Sequence, residues 1–147
     1  MPTYSVFAPA GQLTPTRKSA IAREVTRAHS EVTGAQAFFA QVVFHELQPG
    51  SWFVGGKPLE GNQVYLCGHV RGGRPAEMKR RLVLRLRDVL VDCAEVKRTE
   101  VWVYLVELPP AHMVEFGHVL PEPGAESAWL DDMPAEDRAM LEALGRG

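Results

Sequence analysis

The first residue able to do chemistry is the second in the chain. Pro2 follows the initiator methionine and precedes the strand-like run Thr3, Tyr4, Ser5, Val6, Phe7. A small second residue permits removal of Met1, and removal turns Pro2 into a secondary amine. An α-amino group starts near a pKa of about 8 and moves with burial and neighbouring charge, so such an amine can act as base, acid or nucleophile near neutral pH. Farther along, Arg71 and Arg74 flank Gly72-Gly73 just before Pro75, where a helix is expected to open. Two guanidinium groups there meet a backbone dipole that is already positive, which costs about 0.3–1 kcal/mol for each exposed cation. Arg74 also stands where Ser, Thr, Asp or Asn would cap the helix. The glycine turn lets backbone N–H groups approach closely, and the arrangement asks for an anion, with a carboxylate held by planar donors as its natural guest. The plainer alternative is a pair of solvated arginines.

Three further residues can converge on such an anion. His29 lies in phase with Ile21 and Val25 on the inward face of a helix, where a histidine also serves simply to meet the negative helix end. Tyr104 sits mid-strand in VWVYLVEL on the face of Trp102 and Val106, a setting that also suits an ordinary core tyrosine. Glu115 lies among Met113, Val114 and Phe116, where burial without a partner would raise its pKa; an exposed loop carboxylate is the alternative. Other chemistries gain less support. Cys67 and His69 face the same way on a strand, but no second Cys/His pair has zinc-type spacing. No G-x-S-x-G, phosphate-loop or dinucleotide glycine pattern occurs. Arg71, Arg74, Lys79, Arg80, Arg81, Arg85 and Arg87 form a basic stretch that could meet nucleic acid. The buried stripe Leu82, Leu86, Val89 and a net charge of −2 argue against it.

These residues need a scaffold, and the chain of 147 residues suits one domain, 1–147, with a proper core. A strand at 3–7 leads to Thr14-Pro15, a good cap followed by a residue preorganised for the first helical position. The helix then runs to about Thr33 and stops at Gly34, with Ile21, Val25, Ala28 and Val32 as its apolar stripe. A strand follows at 40–47, then a short apolar piece Trp52, Phe53, Val54. The order recurs in a strand at 64–71, a helix opening at Pro75 and a strand at 101–108, an internal repeat of about 2–60 and 61–120. Two such β-α-β units with right-handed crossovers predict an α/β fold: a four-stranded mixed sheet with both helices on one face. The extension 121–147 is broken by Pro121, Pro123 and Gly124 and carries an acidic helix pattern over 134–144. Neither a long apolar run nor a basic-then-apolar leader is present, so a cytoplasmic protein without membrane or nucleic-acid partners is expected.

Pro2, His29, Arg71, Arg74, Tyr104 and Glu115 on this doubled framework resemble the cis-3-chloroacrylic acid dehalogenase group of the tautomerase superfamily. The resemblance runs through LTPTRKSAIAREVTRAH, FFAQVVF, HVRGGR, VWVYLVELP and MVEFGHVLPEPG. It implies a homotrimer needing neither metal nor organic cofactor, with the amino-terminal proline at the base of each pocket. It further implies that Arg71 and Arg74 bind the carboxylate of an unsaturated or 2-oxo acid, with His29 donating to that carboxylate or an adjacent oxygen. Tyr104 and Glu115 would position and activate water, and Pro2 would move a proton at carbon. A neutral Pro2 suits keto–enol tautomerisation. A protonated one suits water addition, which from a 3-haloacrylate releases halide and malonate semialdehyde. The chain departs from efficient cis-dehalogenases at Ala35, where they carry Thr, and at Phe39, where they carry Leu. A tautomerase with weaker hydratase and dehalogenase activity is therefore expected ahead of a dedicated dehalogenase.

Overall fold

The computed structural model describes residues 2–144, and of Phe38 the backbone only. Strand β1 (Thr3–Pro9) leads into helix α1 (Pro15–Thr33) and, through a single 3₁₀ turn at Ala37–Phe39, into β2 (Gln41–Leu47). A small hairpin, β3 (Phe53–Val54) with β4 (Lys57–Pro58), precedes β5 (Val64–Arg71), helix α2 (Ala76–Ala94) and β6 (Val101–Leu108). A second hairpin, β7 (Val114–Glu115) with β8 (His118–Val119), then gives way to α3 (Glu126–Asp131) and α4 (Ala135–Leu144). The sheet order is β2-β1-β5-β6, parallel within each β-α-β unit and antiparallel where β1 meets β5. The fold is the mixed four-stranded α/β sheet that the sequence predicts.

Helix α1 begins and ends as its residues dictate. The Thr14 side chain accepts from the Arg17 N–H, Pro15 occupies the first turn, and Gly34 takes the left-handed conformation that closes the last one. Ile21, Val25 and Ala28 are buried, joined by His29; Val32 is only partly covered. Helix α2 buries Leu82, Leu86, Val89 and Leu90 against the same layer. Both stripes pack on Tyr4, Val6, Val64 and Leu66 of the two central strands, forming one core between helices and sheet.

Four details differ from the sequence reading. β1 runs on to Pro9 rather than stopping at Phe7, because its register with Leu47 continues. Helix α2 opens at Ala76, not Pro75: the Pro75 backbone is still extended and its carbonyl accepts the first helical bond, from Lys79. The two hairpins and α3 carry too few residues for a periodic signal. The opposite face of the sheet is the fourth: Tyr104, with Trp102 and Val106, points away from the helices and lies exposed instead of entering the core.

Candidate active site

All the candidate chemistry except Tyr104 gathers at one end of the sheet. β1 and β2 begin there, and β5 and β6, running oppositely, end there; Thr3 is in register with Gln41 on one side and His69 on the other. Pro2 stands one residue before this edge, buried, with its carbonyl accepting the Gln41 N–H at 3.0 Å. An open cavity of about 670 Å³ lies over it, walled by Pro2, Gln41, His69, His112, Glu115 and Phe116 among others.

Glu115 reaches that cavity because the β7–β8 hairpin turns through Phe116 and Gly117, both at positive φ (53° and 85°). Two consecutive left-handed residues make the tight turn that matches strand twist. Glycine suits it, whereas a bulky aromatic there is strained, and strain of this kind concentrates at functional sites. The strained Phe116 ring forms part of the cavity wall. Burial raises the Glu115 pKa above the usual carboxylate value, against the pull of the amino-terminal charge and of Arg71. Its carboxyl group has no hydrogen-bond partner among the described residues.

A second cavity of about 320 Å³ adjoins the first and holds the arginines, with Ala35, Glu126 and Trp129 in its wall. Phe39 belongs to both walls, so the two cavities meet at this residue. The two positions at which the chain departs from the dehalogenase pattern, Ala35 and Phe39, thus both line cavities. Arg71 is only 9% exposed, so it is not a solvated surface residue. Its terminal nitrogens donate to the Pro121 carbonyl at 2.8 Å and to the Glu126 carboxylate at 2.5 Å, while its Nε is buried without a partner. Arg74 donates from one nitrogen to the Arg71 carbonyl at 2.8 Å, and burial, then the Arg71 charge, lowers its pKa. The glycine turn serves a different end from that expected. Gly72 gives its N–H to the Leu108 carbonyl at 2.8 Å, so that group is not free for an anion. Gly73 is required by its φ of 97° and because a Cβ there would come within 2.9 Å of Pro123.

His29 lines neither cavity; it is buried within reach of the Arg74 charge. Its Nδ1 is 2.7 Å from the Tyr4 hydroxyl, and its Nε2 is buried without a partner. Burial, reinforced by the Arg74 charge and then by the amino terminus, lowers its pKa to about 3, so the ring is neutral at physiological pH. Burial also raises the Tyr4 pKa, which keeps the hydroxyl protonated. The pair is held in place by Gly68, in register with Tyr4: a Cβ on it would lie 2.5 Å from the Tyr4 ring. Tyr104, by contrast, is 54% exposed on the outer sheet face, edge-on to Tyr65 at 5.2 Å between ring centres, and lines neither cavity. Among the described residues no cluster of three His, Cys, Asp or Glu is placed to hold a metal, and no helix is long and apolar enough to cross a membrane.

A family model described as a putative oxalocrotonate tautomerase enzyme matches residues 1–132. The chain belongs to the tautomerase superfamily. Within it, the chain is 31% identical to the crystal structure of N1, a member of the cis-3-chloroacrylic acid dehalogenase family, over 96% of this chain and 99% of that one, with a TM-score of 0.91. Two more distant structures show the shared fold. Pt0534 inactivated by 2-oxo-3-pentynoate is 22% identical over 80% of this chain and 94% of its own, with a TM-score of 0.73. A fused 4-OT symmetric trimer is 21% identical over 77% and 90%, with a TM-score of 0.71. No curated protein matches the chain in sequence.

The structure brings Pro2 and Glu115 to one cavity and Arg71 and Arg74 to its neighbour; His29 and Tyr104 line neither. Three wall residues escaped sequence reasoning. His69 drew notice only beside Cys67, although the β1–β5 register is what carries it to the site. His112 follows the last sheet strand, in a segment without periodicity. Glu126 sits in the proline-broken extension, where no motif marks it.

Proposed function

We propose that the protein is an amino-terminal-proline tautomerase acting on enol and 2-oxo carboxylates, with weaker hydratase and cis-3-haloacrylate dehalogenase activity. The observation that carries this is the cavity shared by Pro2 and Glu115, which meets the arginine cavity at Phe39. A substrate carboxylate binds at Arg74 and Arg71, whose fixed charges stabilise the enolate as negative charge develops; preorganised charge of this kind commonly contributes more to catalysis than any other single effect. His29, neutral, is a hydrogen-bonding group and not a third cation. The neutral Pro2 amine takes a proton from one carbon and returns it to another, and a positioned base of this sort adds roughly 10²–10⁴-fold. In the slower reaction, Glu115 takes a proton from water while protonated Pro2 gives one to carbon.

Tyr104 fits this scheme only in an assembly. Its strand face carries the exposed Trp102 and Val106 and a run of stacked rings, His45 on Phe7 at 4.5 Å and Phe7 on Tyr65 at 5.4 Å. A homotrimer that buries these faces would carry Tyr104 to a partner's cavity. Mixing Tyr104→Phe subunits with Pro2→Ala subunits tests this, since each defect would then fall on a different site and activity should partly return.

The main test compares kcat/KM for phenylenolpyruvate or 2-hydroxymuconate with that for cis-3-chloroacrylate, expecting preference for the enol acids. The similarity to N1 favours the opposite reading, a dedicated dehalogenase, and preference for the haloacid would establish that reading instead. Pro2→Ala should cripple both reactions, and Glu115→Gln should harm water addition more than tautomerisation. Equal losses would defeat this division of roles. Mass spectrometry of the cellular protein should show Met1 removed. Treatment with 2-oxo-3-pentynoate should add one molecule to the amino-terminal peptide, as the amine nitrogen bonds to the alkyne and its proton passes to carbon.

A further inference from the structure

The arginine cavity carries its own carboxylate. Glu126 comes from α3, outside the doubled framework, and lies in the wall with Arg71 and Arg74. One oxygen accepts from Arg71 at 2.5 Å and the other from the Gly124 N–H at 2.8 Å, so the group is held at both ends. The Arg71 hydrogen bond lowers its pKa, which keeps it ionised at neutral pH. Arg71 is thereby neutralised as a pair. Arg74 uses one nitrogen on a backbone carbonyl, and its other donors have no protein partner among the described residues. With His29 neutral, the cavity holds two positive charges and one negative, a net of +1.

We infer that Glu126 is a specificity-determining residue that sets the arginine cavity to take substrates with one carboxylate and to disfavour those with two. The inference rests on reading this cavity as the carboxylate site. Its physical basis is that a ligand's energy in a fixed potential scales with its charge, so removing one negative charge strengthens binding of a dianion by about the square of the factor gained by a monoanion. A half-exposed carboxylate is screened by solvent, and low-salt buffer exposes its effect best.

The test uses the whole protein and two probes that cannot tautomerise, butanoate with one carboxylate and succinate with two, measured by calorimetry. Glu126→Gln keeps the size and one accepting oxygen and removes the charge, at the loss of one of the two hydrogen bonds the carboxylate accepts. It should tighten butanoate roughly five-fold and succinate roughly twenty-five-fold. Kinetically, KM for 2-hydroxymuconate should fall more than KM for phenylenolpyruvate. Glu126→Asp, which restores the charge, should keep the wild-type ratio of the two affinities. A ratio unmoved by Glu126→Gln, or weaker binding of both probes, overturns the inference and leaves Glu126 as a mere strut for α3. Should wild-type protein bind butanoate yet turn over neither enol acid, the proposed tautomerase function fails, while the affinity ratio still decides the role of Glu126.

Discussion

The two β-α-β halves share one plan and differ where their helices begin and end. In the first, Thr14 caps α1 with its side chain and Gly34 supplies the left-handed residue at the far end. In the second, the equivalent loop reads Arg71-Gly72-Gly73-Arg74-Pro75, no side chain caps α2, and Glu95 is forced into the left-handed conformation at φ 56°. The first half follows the rules of helix stability. The second breaks them at its opening, and the residues that break them are the buried and half-buried arginines of the candidate site. Where two copies of one plan diverge, the less stable copy marks the chemistry.

Substitution at the two helix openings should give the largest contrast. Arg74→Ala should lower kcat/KM at least about a hundred-fold, the loss expected when a main charge contact to the reacting anion is removed. Thr14→Ala should cost about 1 kcal/mol of stability in a urea titration and leave activity intact. Comparable activity losses from the two would erase the distinction between the halves.

Acid should separate the helices next. The α1 stripe contains the buried His29, while the α2 stripe is purely apolar. The His29 pKa falls from 6.5 unfolded to about 3 folded, so the ring is neutral in both states above pH 6.5 and protonates first in the unfolded chain as pH drops. Stability should therefore decline from pH 6.5 towards pH 3. Between pH 6 and 5 the slope approaches about 1.4 kcal/mol per pH unit. His29→Gln should flatten that window; an unchanged slope would show that the histidine is not the acid-sensitive group.

The far ends of the helices should show the smallest effects, of opposite sign. Gly34→Ala should cost about 1 kcal/mol, since its φ of 74° strains any side chain even though the space beside it is open. Glu95→Gly should gain up to about 1 kcal/mol, because it relieves the same strain and gives up only an exposed ion pair with Arg17. Denaturant midpoints for both variants would check this, and loss of stability on Glu95→Gly would mean that the ion pair outweighs the backbone.

The framework was largely legible in the sequence because its signals are local. Thr14-Pro15, Gly34 and the stripe from Ile21 to Val25 act through neighbours three and four residues away. The inward position of His29 followed from the same periodicity. What stayed hidden depends on register and on the chain's return. The place of His69 beside Pro2 is set by pairing with Thr3, and the grip of Glu126 on Arg71 joins residues 55 apart. Even the face of Tyr104 was visible in the alternation of β6, but not which side of the sheet that face would be. Both sides of β6 carry large apolar residues, so alternation alone could not choose.

The burial of Pro2 at the floor of its cavity has a practical side. Anything left attached to its nitrogen competes for the space in which the reaction would occur. A recombinant protein carrying an amino-terminal purification tag, or a single vector-derived residue after cleavage, would fold normally and be inert. Carboxy-terminal tagging and a host with efficient methionine aminopeptidase are therefore conditions of any fair assay.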